Sequence, residues 1–314
     1  MPEIHHNVNY YGSARIIKEY AGFPKWIPLP VGLQLAWLIV PGDIKSIKAN
    51  EAWIWSSDIH KLLKGEITQS KLRTVGSPFL YLCELMKDEI NREPKKGSIV
   101  FPAHSSHQID VNYNYAVYVD MLNKLPDKYH PITICMYYVD IHKNRHHVFL
   151  ESGFNVVSNG ISRNDKEFLY NFIKNTADKE YAISNQMTSA LVYAAALGVK
   201  SIYYGPEFEA KNIGNIHWND QDVENVHRSF EREMIQYFKI DENNYKKQHL
   251  FALRQLGKDQ MQPPEYLNKL LWKNLFTFNY VFNICRYYFE KSIYHNYKRL
   301  YYKLLRMLTN RNSE

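Results

Sequence analysis

The stretch Glu180–Gly205, EYAISNQMTSALVYAAALGVKSIYYG, carries the clearest structural signal in the chain. EYAIS (180–184) is short, apolar and aromatic and reads as a strand. A small polar turn follows. MTSALVYAAALG (187–198) carries apolar residues at helical spacing and stops on Gly198, a residue favoured just past a helix because it adopts left-handed backbone without a steric cost. VKSIYYG (199–205) is again a strand. Strand, helix and strand joined by short turns make one unit of a parallel sheet covered by helices.

The same alternation runs back toward the N-terminus, at about 20 to 25 residues per unit as such crossovers require. GSIVF (97–101), PITICMYYV (131–139) and FNVVSN (154–159) read as strands. NYNYAVYVDMLNKLP (112–126), HKNRHHVFLESG (142–153, stopped by Gly153) and DKEFLYNFIKNTADK (165–179) read as helices. Before them, NREPKKGS (91–98) is charged, carries Pro and Gly and has no apolar period, so a domain boundary is expected there. Upstream, VGLQLAWLIV (31–40) and EAWIWSS (51–57) read as strands, and TVGSPFLYLCELMKDEI (74–90) as a strand or turn entering a helix with Pro78 in its first turn. Beyond Pro206 the chain turns helical. DQDVENVHRSFEREMIQYF (220–238) begins with the acidic residues a helix N-terminus prefers, and two aromatic, basic helical stretches follow from Pro263. The expected class is α/β, with an N-terminal domain over 1–92, a regular Rossmann-like domain over 93–255 and a helical tail over 256–314.

At 314 residues and 45% hydrophobic content the chain is long enough for two cores. Its net charge of +7 and pI near 9.0 point to an acidic partner: a nucleotide, a phospholipid surface or a nucleic acid. The 25 tyrosines and other aromatics form no recognisable RNA-binding motif, so nucleic acid is not expected. Cys83, Cys135 and Cys285 are far apart and odd in number, which fits a reducing cytoplasm. The N-terminus shows no signal pattern, and the apolar run 31–40 is too short to span a bilayer.

In an open parallel sheet, ligands bind beyond the carboxyl ends of the strands, where the strand order reverses. With the common order 3-2-1-4-5, that reversal falls between the strands at 97–101 and 180–184. PAHSSHQID and SNQMTS then face one crevice. Ser184, Asn185, Thr188 and Ser189 would surround a helix N-terminus, a natural phosphate cradle. His104, Ser105 and Ser106 would approach from the other side, where an imidazole and two hydroxyls bind a phosphate or move a proton. Each also has a plainer reading. A Ser or Thr before a helix is ordinarily its cap, and Asp110 suits the cap of a helix at 112. His104 and His107 lack a partner set with metal-ligand spacing, so no metal site is expected. HKNRHH (142–147) reads as a solvated helix face, and Asp220-Gln-Asp222 as a helix start rather than a metal motif.

GSIVFPAHSSHQID, ITICMYYVDI, GFNVVSNGISRNDKEFLYNFI and YAISNQMTSALVYAAALGVKSIYYG resemble the donor-binding half of GT-B glycosyltransferases from bacterial capsule and lipopolysaccharide loci. The nearest likeness is to those using CMP-activated acidic sugars: sialyl-, polysialyl- and Kdo-transferases. NYYGSARIIKEYAGF, LQLAW and TVGSPFLYL extend it over about residues 7–205. The resemblance implies two Rossmann-like domains, no cofactor, no metal, and inverting transfer from a CMP-linked donor to a surface glycan or glycolipid acceptor. It gives His104 with Ser105 and Ser106, and Ser184, Asn185, Thr188 and Ser189, as the groups holding the CMP phosphate. Two departures stand out. Pro102 precedes His104, where the family has His-Pro, and Gln34-Leu-Ala-Trp37 replaces a Gln-His-Gly-Trp-like turn, so no N-domain histidine is available there.

An acceptor-side base would come from His5, His6, Asp43 or Asp58, with Asp110 as a donor-side catalytic alternative. Arg163 and Glu207 follow other strand ends and suit contacts to base, sugar or ribose. Polyol-phosphate transferases of teichoic-acid type, with a CDP donor, are the alternative on the same scaffold, and a non-catalytic nucleotide- or nucleic-acid-binding protein is a third reading. Between Lys269 and Arg311 the tail holds nine Lys and Arg against Glu290, interleaved with aromatics. That pattern fits either contact with the inner face of the plasma membrane or packing onto the N-terminal domain.

Overall fold

The computed structural model describes residues 6–37, 49–62, 72–91, 95–214, 234–239 and 244–277, with 280–282, 284–286, 289 and 292. Within these residues the strands are β1 (Gly32–Leu33), β2 (Ala52–Ile54), β3 (Leu72–Thr74), β4 (Ser98–Val100), β5 (Ile109–Asn112), β6 (Ile132–Cys135), β7 (Asn155–Val157), β8 (Tyr181–Ser184), β9 (Lys200–Tyr203) and β10 (Glu209–Asn212).

The larger sheet has the order β7-β6-β4-β8-β9, and all four pairings are parallel. This is the 3-2-1-4-5 order, with the reversal between β4 and β8. Its central strands are apolar on both faces, as a sheet covered on both sides requires. Ile99 and Ala182 join one buried cluster, with Phe172, Leu191 and Val192 from the helices Phe168–Thr176 and Ser189–Ala196. Their strand neighbours Val100 and Ile183 join the other, with Tyr118, Leu122 and Phe149 from Tyr115–Asn123 and His147–Glu151.

The smaller sheet, β1-β2-β3, is also parallel. β1 and β2 lie within the expected segments 31–40 and 51–57, whereas β3 ends at Thr74, where the expected strand or turn begins; all three are only two or three residues long. Pro78 occupies the first turn of the helix Pro78–Leu85, and the Ser77 hydroxyl caps it by accepting from the Phe79 N–H at 3.1 Å. Phe79 stacks on Tyr193 with ring centroids 4.2 Å apart and meets Phe172 edge-on at 5.7 Å. One buried cluster therefore runs from Val8 and Phe79 through to Val199 and Leu271, crossing the expected boundary near 92.

Three local expectations need correction. The strand expected over 131–139 ends at Cys135, because Tyr138–His142 is helical; Tyr and Val suit either state, so composition does not mark the end. The helix expected over 142–153 is two pieces, Tyr138–His142 and His147–Glu151, separated at Asn144, whose φ of +59° is left-handed. The polar loop expected after β4 contains β5, which pairs antiparallel with β10. Most of 220–238, including Asp220 and Asp222, and most of the tail beyond 277 lie outside the described residues, as do His5 and Asp43. The tail helix Pro264–Leu275 buries Leu267, Leu270 and Leu271, and Asn268 Nδ2 donates to the Ala21 carbonyl at 2.9 Å. That face packs on the N-terminal helix Ser13–Ala21. No helix among the described residues is long and apolar enough to cross a membrane.

Candidate functional site

The turns after β4 and β8 meet at the switch point. The Ala103 N–H donates to Asn185 Oδ1 at 2.8 Å, and Asn185 Nδ2 donates to the Pro206 carbonyl at 3.0 Å. One buried amide thus joins three strand-end loops. Gly205 makes this approach possible. Its φ is +142°, and a Cβ there would sit 2.7 Å from both Asn185 Cβ and the Tyr118 ring. Glu207 is exposed at the same rim.

His104 stands at the head of the first turn. Its Nδ1 is 3.1 Å from the Ser105 carbonyl, an acceptor only, so Nδ1 carries the proton and Nε2 keeps its lone pair. Nε2 has no hydrogen-bond partner among the described residues. Burial pushes the imidazole pKa below its ordinary value, partly offset by the Ser105 bond and by Asp140. The ring lies 4.3 Å from that of Tyr137, whose hydroxyl is 3.3 Å from the Tyr11 hydroxyl. Tyr11 is left-handed at φ +57°, a conformation that costs a bulky residue about 1–2 kcal/mol. Its N–H donates to the Arg163 carbonyl at 2.7 Å and its ring packs 4.7 Å from Phe168. Arg163 lays its guanidinium 4.5 Å over the Tyr10 ring, so it joins this aromatic wall rather than the β4–β8 turns.

Beneath the turn lies an ion network. Asp140, 3% exposed, accepts the Ser105 N–H at 2.9 Å and pairs with Arg145 at 2.8 Å. Arg145 also donates to Ser105 Oγ at 2.6 Å and to the Val111 carbonyl at 2.7 Å, and pairs with Asp110 at 2.9 Å. Lys143 reaches the same Asp110 oxygen at 2.6 Å. Hydrogen bonding from Lys143, then Arg145, holds the Asp110 pKa down at about 2, against a smaller opposing effect of burial. Asp110 lies on β5 and caps no helix; Asn114 caps Tyr115–Asn123 instead. The run 142–147, read as a solvated helix face, is here the source of both cations.

Several expected ligands are engaged within the fold. Ser105 is fully buried, and its hydroxyl donates to Asp110 at 3.1 Å and accepts from the Val111 N–H at 3.0 Å. Ser106 Oγ accepts the N–H groups of Gln108 and Ile109, closing a tight turn. Ser184 Oγ exchanges hydrogen bonds with the Gln186 backbone. These hydroxyls face the chain because a sharp turn between a buried strand and the next element must satisfy its own backbone first.

The start of the helix Ser189–Ala196 differs. Thr188 is its N-cap residue, yet its side chain makes no capping bond, and Thr188 Oγ1 is buried without a partner. The first N–H groups of a helix have no intrahelical acceptor and sit at the positive dipole end. Ser189 Oγ accepts the Trp37 N–H at 3.2 Å, which brings the Gln34–Trp37 turn of the N-terminal half against this helix start. Gln34 is itself buried, accepting the Trp55 N–H at 2.9 Å. Asp58 is held by Arg254 at 2.7 Å, in an ion pair at the surface. Tyr11, Tyr137, Asp140 and Arg145 escaped the sequence reading; the one available signal was the acid–base spacing of Asp140 and Arg145. The crevice therefore combines a neutral imidazole able to take a proton with a helix start able to attract an anion.

No family model matches the chain, and no curated protein matches it. Among solved structures it is similar to the wall teichoic acid polymerase TagF soaked with CDPG, at 9% identity and TM-score 0.39, covering 72% of this chain and 57% of that one. A second TagF structure gives 10% identity, TM-score 0.39 and coverage of 72% and 58%. The UDP-GlcNAc 2-epimerase from Neisseria meningitidis bound to UDP-GlcNAc gives 13% identity, TM-score 0.31 and coverage of 72% and 60%. The chain spans less than two thirds of each of these structures. At such identities and scores they say nothing about what this chain does. The fold itself is α/β, a smaller and a larger parallel sheet with helices over both faces of the larger one.

Proposed function

We propose that this chain is an inverting, metal-independent transferase that moves an acidic sugar from a CMP-linked donor to a hydroxyl of a surface-glycan acceptor. The observation that carries the reading is the pairing, at one switch point, of a neutral His104 with the uncapped start of the helix Ser189–Ala196. The donor phosphate sits on the N–H groups of that first turn, with the Thr188 hydroxyl as an added donor. His104 Nε2 takes the acceptor proton as the acceptor oxygen bonds to the anomeric carbon. The sugar–phosphate bond breaks, its electron pair leaves on CMP, and the helix dipole stabilises the departing charge. Glu207 accepts ribose hydroxyl hydrogen bonds at the rim. Ser105, Ser106, Ser184 and Asn185 shape the crevice through their internal bonds, and Asp110 locks the turn as a permanent carboxylate.

A thermal-shift screen with CMP, CDP, UDP and GDP tests this, since a ligand that binds only the folded chain raises its melting temperature. Cytidine nucleotides are expected to stabilise it and the others not. Equal effects from all four, or none from any, overturn the reading. Product mass from CMP-sialic acid or CMP-Kdo against CDP-glycerol then separates sugar transfer from polyol-phosphate transfer, and an unchanged rate in a chelator checks metal independence.

A further inference from the structure

The tail helix Pro264–Leu275 buries one apolar face, and its other side and C-terminal end carry aromatic rings among lysines. Leu267, Leu270, Leu271 and Asn274 are buried against the N-terminal half. Offset from them by two positions, about half a helical turn, run Lys269, Trp272, Lys273 and Phe276, all exposed. Phe276 is 77% exposed, with its ring 6.2 Å from that of Trp272. Further along, Val281 and Phe289 are exposed as well.

A second segment adds to this side. The loop after Ser13–Ala21 holds Lys25 and Trp26, both exposed, the latter 68%. It is fastened to the tail at three points: Asn268 on the Ala21 carbonyl, Phe23 edge-on to Trp272 at 5.3 Å, and the Tyr280 hydroxyl on the Pro28 carbonyl at 2.7 Å. Two stretches of sequence fastened to one another therefore each carry exposed aromatic rings beside Lys. Water alone gives no reason to leave such rings uncovered.

We propose that this face docks on an anionic lipid surface, with the helix lying in the interface. The charge selects that occupant. The tail has nine basic residues between Lys269 and Arg311 against one acidic one, and lysines alternate with the aromatic anchors on the outer stripe. Lys paired with Trp and Phe is the composition of an interfacial helix at acidic headgroups. The inner stripe, held on Ser13–Ala21, keeps the helix parallel to the surface. The inference does not depend on the transfer reaction.

Vesicle flotation of the full chain tests it, using phosphatidylcholine alone and with about one third phosphatidylglycerol. The chain is expected to float with the anionic vesicles only, and to lose most of this binding when salt rises from about 0.05 to 0.5 M. The double variant Trp26→Ser/Phe276→Ser, which removes rings that face solvent, is expected to weaken binding at least about tenfold at an unchanged melting temperature. Should that variant fold poorly, Lys269→Gln/Lys273→Gln provides the second arm, with a loss of several-fold. The proposal falls if the chain binds no vesicle, binds neutral and anionic vesicles alike, or keeps full binding in both variants. It falls equally if sedimentation shows a dimer that the aromatic variant splits and vesicles do not displace. Because no turnover is measured, failure here is separate from failure of the nucleotide screen.

Discussion

After β4 the chain presents Ala-His-Ser-Ser, and after β8 Asn-Gln-Met-Thr-Ser, two turns of small polar residues facing one another across the switch point. In the first, nearly every polar atom is tied down: Ser105 by Arg145, Asp110 and Val111, Ser106 by Ile109, and the loop backbone by Asp140. Of its side chains, His104 Nε2 is left without a partner among the described residues. In the second, Ser184 and Asn185 are tied down, but Thr188 and the helix start it should cap are not. Similar composition thus serves two ends. Most of it builds tight turns, and a small remainder keeps a polar atom without a partner among the described residues. Residue type does not separate the two; the count of partners does.

Four experiments test that contrast. His104→Ala removes the free imidazole and is expected to lower transfer by about 10² to 10⁴-fold, the usual contribution of a general base, with melting nearly unchanged. Wild-type rates in that variant end the comparison. Asp140→Ala acts on the scaffold side. It leaves the Ser105 N–H without its acceptor and Arg145 with Asp110 as its remaining carboxylate, so urea unfolding should show a loss of about 2 kcal/mol, as for an unsatisfied buried donor. A loss under about 1 kcal/mol would class the network with surface pairs. Thr188→Val takes away an unpartnered hydroxyl while keeping its shape. Stability should hold, while cytidine-nucleotide affinity measured by calorimetry should drop several-fold, about the net value of one hydrogen bond. The reverse pattern would make Thr188 a structural residue.

The smallest effect concerns pH. The folded Asp110 pKa lies near 2, below its unfolded value, so its stabilising effect is complete above about pH 4 and is lost as pH falls toward 2. Asp110→Asn should flatten that acid limb in urea titrations at stepped pH. His104 behaves with related sign. Its folded pKa is lowered, so the unfolded chain binds the extra proton, and a stability deficit grows as pH drops below about 6.5. His104→Ala should abolish that deficit.

The larger sheet was legible because each of its strands is a dense apolar run bounded by a turn and followed by a helical period. Parallel pairing of such units leaves few orders, and the common one holds. β5 and β10 were not legible. Ile-Asp-Val-Asn alternates for only four residues at the end of a polar turn, and Glu-Ala-Lys-Asn carries a single apolar residue, so neither stands out without its antiparallel partner. The smaller sheet was only partly visible, because strands of two or three residues barely register a period. Of the candidate site, the meeting of the turns after β4 and β8 could be read, since it follows from the strand order. The division of hydroxyls into engaged and available could not, because it depends on Arg145, some forty positions away, folding back under the turn. Tyr11 was hidden for the same reason: nothing near it in sequence announces Tyr137.

The stack of Phe79 on Tyr193 has a mechanical meaning. Many two-lobed proteins admit their substrates by swinging the lobes apart about a hinge. Here the lobes share one apolar interior beside the crevice, and prising them open would wet Phe79, Phe172 and Tyr193 together. Any movement of one lobe relative to the other therefore carries the cost of exposing these three rings to water.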